Sequence, residues 1–138
     1  MADINRVISG VEKRLRHAIE QTLEKTAQYA ESKLSETFKT EGRAVGIEWS
    51  PLREAYLKQK IKKGYSEKIL HRTTTLAQSF TSTIQPFSAV IGTPVWYAQF
   101  HEYGTKRIPA RPFLKPVMEH ILGSDVVSRF FKEAINAS

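Results

Sequence analysis

The chain contains no cysteine, which removes disulfide frameworks, thiolate metal sites and thiol nucleophiles together and leaves the redox compartment open. Aspartate occurs only at Asp3 and Asp125, near the two ends. No apolar run approaches the roughly eighteen residues of a membrane span. The segment Met1 to Arg16 carries Asp3, Arg6, Glu12, Lys13, Arg14 and Arg16, so it lacks the apolar stretch of a signal peptide. The chain is expected to stay where it is made until it is assembled into something.

What is present is enough for one core. A length of 138 residues suits a single domain. The formal net charge of +7 is local: residues 1–48 carry eight Lys/Arg and eight Asp/Glu, residues 49–72 seven against two, and residues 73–138 six against four. The excess therefore lies mainly in the middle third. Lys58, Lys60, Lys62 and Lys63 form its densest part. They are candidate phosphate contacts, because clustered cations displace counterions from nucleic acid. The alternative is a solvated face that aids solubility, and no recognition motif accompanies the lysines.

Along the chain, Ile4, Val7, Ile8, Val11, Leu15, Ile19, Leu23, Ala27, Ala30, Leu34 and Phe38 fall in steps of three or four, which predicts one amphipathic helix. Such a helix is roughly 50 Å long, more than a small domain covers, so part of its stripe is expected to meet another subunit. Gly42 and Gly46 interrupt the pattern. Ser50 and Pro51 then suit the N-cap and first position of a short basic helix through Leu52, Ala55, Tyr56 and Ile61, stopping at Gly64. Leu76, Ala77 and Phe80 suit a helical turn or two. The β-branched runs Thr81 to Gln85 and Ala89 to Thr93, with Pro86-Phe87-Ser88 between them, predict an antiparallel hairpin. Val95 to Tyr103 has helical spacing. Gly104 to Pro112 holds too many breakers for a regular element, apart from a short edge strand at Lys106 to Ile108. Helical spacing resumes at Phe113, Val117 and Ile121, and again from Val126 to Ile135 with Ser124 as N-cap. The reading is α+β: a long N-terminal amphipathic helix and further helices packed on a small antiparallel sheet. Residues 1–40 are taken as a helical arm and 41–138 as a single α+β domain.

Reactive constellations fail on spacing. His101-Glu102 begins like the H-E-x-x-H zinc motif, but Thr105 stands where the second histidine must be, and Gly104 breaks the helix that would carry both. His17, His71 and His120 are far apart. No G-x-S-x-G elbow supports a serine nucleophile, and Glu41, Glu48, Glu54 and Glu102 show no spacing that singles out a hydrolytic pair. Isolated Gly92 and Gly104 make no phosphate-cradling loop. No enzyme activity and no cofactor are expected. Aromatics beside breakers, by contrast, suit interface anchors.

Five blocks in order resemble the phage virion morphogenesis family, which includes Mu protein G-like and related tail-completion proteins. They are Trp49-Ser50-Pro51-Leu52; Ile69-Leu70-His71 with Thr73 and Leu76; Val90-Ile91-Gly92-Thr93; Tyr97-Ala98 with His101-Glu102-Tyr103-Gly104-Thr105; and Ile108-Pro109-Ala110-Arg111-Pro112-Phe113-Leu114. Two positions depart from the family's habit: Thr74-Thr75 where Thr-Gly is usual, and Lys115 where a small residue is usual. The resemblance implies a virion component assembled in the host cytoplasm, a homo-oligomer such as a ring, and phage tail or head-neck proteins as partners. It carries no catalytic residues, and the lack of a long apolar run separately leads to the expectation of no membrane association. Trp49, Pro51, Tyr97, His101, Tyr103, Gly104, Thr105, Arg107, Arg111, Pro112 and Phe113 are the expected structural or interface determinants, with Arg111 favoured for an inter-chain salt bridge.

Overall fold

A computed structural model describes residues 3–50 and 76–137. The expected basic helix after Ser50, Pro51 and the lysines at 58, 60, 62 and 63 lie outside the described residues.

Helix α1 spans Ile4–Lys39 as one unbroken element. Asp3 caps it, its carboxylate accepting from Asn5 N at 3.0 Å. At the far end Thr40 N donates to Glu36 O and Gly42 N to Thr37 O, closing the last carbonyls. Gly42 sits at φ +95°, and a Cβ there would meet Ile47 Cγ1 and Trp49 Cδ1 at 3.0 Å. That turn brings Trp49 back onto Phe38, ring edge to face at 5.4 Å. Between them a short 3-10 turn spans Arg43–Val45.

Strands β1 (Thr81–Gln85) and β2 (Ser88–Gly92) form the antiparallel hairpin. Gln85 pairs with Ser88, so the turn is Pro86-Phe87 alone and Ser88 belongs to the ladder, a one-residue correction. Thr93 leaves the strand because its hydroxyl bonds Ser79 Oγ and accepts from Val95 N. Ahead of β1, the residues expected to make a helical turn or two form a single turn, with Ser79 N donating to Leu76 O at 3.1 Å. Helix α2 covers Ala98–Tyr103, shorter than expected from Val95, and α3 and α4 cover Leu114–Gly123 and Val126–Ala137. Ser124 Oγ donates to Ile121 O and accepts from Val126 N, making the break between them.

The core gathers Ala30, Leu34, Phe38, Trp49, Leu76, Ala98, Phe113, Val117 and Ile121. Phe38 and Phe113 are its centre, both fully buried, with Phe80 against each. The hairpin lies across α1, where Ser82 Oγ donates to Glu31 Oε1 at 2.8 Å. Helix α4 lies along a second face of α1. Lys25 pairs with Glu133 at 3.3 Å, and Tyr29 meets the edge of Phe130, so α4 runs antiparallel to α1. Buried Ala18 and Thr22 form the small-residue end of that seam. N-terminal to Ala18, every described residue of α1 is exposed. The freestanding part of the helix is thus Ile4 to His17, and the half from Ala18 onward belongs to the body. No helix among the described residues is long and apolar enough to cross a membrane.

Phe38→Ala removes the ring that touches Trp49, Phe80 and Phe113, and a loss of about 3–5 kcal/mol is expected from large-to-small substitution in a packed core. Leu122→Ala, at an exposed corner, should stay within about 0.5 kcal/mol. Urea unfolding of both variants checks the contrast.

Candidate functional site

The segment from Trp96 to Leu114 holds most of the expected determinants, and the structure divides them into inner and outer sets. The inner set begins with Glu102 on the buried face of α2. Its Oε2 accepts from Phe113 N at 2.7 Å and Leu114 N at 3.1 Å, and its Oε1 from Lys115 N at 2.8 Å. The residue at the N-cap of α3 is Phe113, which has no capping side chain. A carboxylate eleven residues earlier in the chain therefore supplies the acceptors and the negative charge that a helix start favours. Sequence reasoning passed over Glu102 as half of a failed metal motif. The available signal was a predicted helix beginning at Pro-Phe-Leu with no Ser, Thr, Asp or Asn before it.

Around this carboxylate the loop closes on itself. Gly104 stands at φ +76°, and a Cβ there would lie 2.8 Å from Ala110 N, so only glycine fits without strain. Thr105 N donates to Ile108 O, while Thr105 Oγ1 accepts from Arg107 N and Ile108 N at 3.2 Å each. These local bonds replace the expected edge strand at Lys106 to Ile108. The hydroxyl offers the backbone a tighter alternative to a ladder. Arg111 N donates to His101 O at 2.7 Å, and Arg111 Nε to Ser50 O at 2.8 Å. Arg111 is buried, and its guanidinium serves the chain's own interior. Trp49 Nε1 donates to Pro112 O at 2.8 Å, which ties the end of the α1 turn to the same loop. Trp49, His101, Glu102, Gly104, Thr105, Arg111, Pro112 and Phe113 are thereby brought together as one framework.

His101 is half-buried, and its Nδ1 finds no partner among the described residues. Burial, and then the Arg111 charge, hold its pKa below the usual 6.5. The imidazole is neutral at pH 7 and stacks edge-on against Tyr97.

The outer set is aromatic. Phe100 and Tyr103 are exposed on α2 and Trp96 in the turn before it, with Trp96 meeting Phe100 edge to face at 5.9 Å. Arg107 is exposed nearby in sequence, and Tyr97 is partly covered by the core. No three His, Asp or Glu side chains among the described residues converge as a metal site requires.

The pattern of the phage virion morphogenesis family matches residues 1–123. The chain belongs to this family. It is also similar to a protein named Mu-like prophage FluMu G protein 1 of Haemophilus influenzae, 37% identical over 93 residues, 66% of this chain and 60% of that one. An uncharacterized protein of Methanocaldococcus jannaschii is 33% identical over 81 residues, 54% of this chain and 60% of that one. The aligned part of each of these relatives is thus about three fifths of its length. No solved structure gives a significant match. Family membership supports a part in virion morphogenesis and association with the phage particle. The match to residues 1–123 takes in the freestanding half of α1 as well as the framework loop.

Two tests follow from this geometry. Glu102→Ala strips three backbone N–H groups of a charged acceptor and is expected to cost about 3 kcal/mol in urea unfolding. Glu102→Gln, which keeps one carbonyl oxygen, should cost less. For His101 the folded-state pKa lies below 6.5, so the unfolded chain takes up the proton first as pH falls. Its contribution is therefore present above 6.5 and lost as pH drops toward the depressed folded value. His101→Gln should flatten the fall in urea midpoint between pH 7.5 and pH 5, and an unchanged slope would contradict the assignment.

Proposed function

We propose that this protein is a non-enzymatic structural component of a tailed phage or prophage. It acts in tail completion or head-tail joining, through contacts with copies of itself and with tail or neck proteins. The observation that carries this reading is where the polar groups of the characteristic loop go. Glu102, Thr105 and Arg111 bond backbone groups of their own chain. Thr105 Oγ1 likewise accepts from Arg107 N and Ile108 N. Exposed apolar side chains lie elsewhere, among them those of the freestanding half of α1 and of Trp96, Phe100 and Tyr103. Exposed aromatic and aliphatic patches of this kind mark protein contacts. Assembly in the host cytoplasm and residence in the virion accord with this role. Contact between packaged DNA and Lys58, Lys60, Lys62 and Lys63 is a secondary reading, favoured only by their local charge. It requires binding that drops by orders of magnitude between roughly 50 and 200 mM salt.

Complementation of a prophage lacking this protein tests the proposal. A chain without residues 1–17 keeps the whole core, and so does Trp96→Ser with Tyr103→Ser. Each is expected to fold yet lower the yield of infectious particles at least about tenfold, with unjoined heads and tails visible by electron microscopy. Normal yield from both variants would defeat the assembly role of these surfaces.

A further inference from the structure

We infer that the freestanding half of α1 pairs antiparallel with the same segment of a second copy of this chain. The proposal deepens the assembly reading above, although its solution test does not depend on that reading.

The argument starts from the seam between α1 and α4. With 3.6 residues per turn, Ile4, Ile8, Val11, Leu15, Ala18 and Thr22 fall within an arc of about 80° on α1. Lys25 and Tyr29, the residues that meet α4 at Glu133 and Phe130, continue the same line. The exposed stripe is therefore an extension of a surface that already accepts an antiparallel helix. Its steps of four, three and four are the spacing of a two-helix seam. The pairs Lys25 with Glu133 and Tyr29 with Phe130 place Ala137, the last described residue of α4, beside Gln21 or Thr22. The seam before Ala18 is left open.

A second arm fills it in one register. Ile4 opposite Leu15 of the other copy, and Ile8 opposite Val11, use every residue of the stripe twice about a two-fold axis, as an isologous contact requires. Asp3 of each copy then lies level with Arg16 of the other. The described part of the incoming arm stops at Asp3, level with Arg16, and so lies end to end along α1 with the described part of α4. A parallel pair meets two obstacles. It would set Lys13, Arg14 and Arg16 of both copies side by side, and the helices would have to splay by Gln21 or Thr22, where α4 enters the seam in each. With Ile4, Val7, Ile8, Val11 and Leu15 exposed by 73, 60, 58, 49 and 42%, two facing arms remove at most roughly 1,000 Å² from water, the lower bound for a specific interface. The pairing is accordingly reversible and concentration-dependent.

Because the chain has no cysteine, introduced thiols report the register directly. Ile4→Cys and Leu15→Cys chains are mixed under reducing conditions and then oxidised. In the antiparallel register the two Ile4 positions are about 16 Å apart along the axis, beyond disulfide reach. The mixture should form the Ile4/Leu15 cross-linked dimer, and each variant alone should not. Light scattering on the full chain should show a mass that doubles with concentration, while Ile8→Asp with Val11→Asp stays at monomer mass with an unchanged thermal midpoint. Cross-linking of Ile4→Cys alone, or no cross-link in the mixture, would overturn the inference. If the residue 1–17 deletion blocks particle completion while the full chain shows no arm cross-link, the arm serves a different virion protein: the assembly reading stands and this inference falls. If the cross-link forms but the deletion leaves particle yield normal, the reverse holds.

Discussion

The carboxylate of Glu102 holds together the least regular part of this protein. Between Tyr103 and Phe113 the chain has no helix or strand to satisfy its backbone groups, yet it must deliver Phe113 to the centre of the core. Three bonds from Glu102 to the first amides of α3 fix where that helix begins. Arg111 and Trp49 fasten the approach from the other side. The fully buried position of Phe113 against Phe38 follows from that anchoring. A buried charge is tolerated here because all of its bonds are charge-assisted and lie at a helix start, where the dipole favours an anion.

Helix α1 then carries two different jobs on two faces. One face, through Ala30, Leu34 and Phe38, is the wall of the core. The other meets α4 where Lys25 and Tyr29 reach Glu133 and Phe130, with buried Ala18 and Thr22 on the same line. Thr22 is accommodated there because its hydroxyl bonds back to Ala18 O at 2.7 Å, which removes an unpaired polar group from the seam. The change of face along one straight helix explains how its N-terminal half can stand free while its C-terminal half is fully committed to the body.

What could be read from the amino-acid order follows from this division. Helix α1, the hairpin and helices α3 and α4 were legible because their apolar residues recur at the period of the element. The limits of the hairpin were not, since Ser88 and Thr93 look alike by propensity and are sorted by Thr93 bonding to Ser79. The apolar positions of α1 share one period in the sequence but divide between two faces in the fold. Ala18 and Thr22 leave no mark of their burial in the sequence, because small and polar side chains carry no hydrophobic signal. Lys106 to Ile108 looked extended, but Thr105 folds it. Glu102 is the clearest case: its partners lie eleven to thirteen residues away, and no local pattern encodes a cap supplied from another helix.

Several of the residues that carry the resemblance, Trp49, Glu102, Arg111 and Phe113, are therefore among those least able to touch a partner. A buried Arg111, a buried Glu102 and a glycine at positive φ define a scaffold, and substitution there acts through folding. The side chains that the scaffold leaves outside include Ile4, Val7, Ile8, Val11 and Leu15 on the arm, Trp96 just before α2, and Phe100 and Tyr103 on it. Change at these positions costs little folding energy, because their side chains are already in water. The loop can thus stay the same while the exposed side chains change, because the bonds that hold it run to its own backbone.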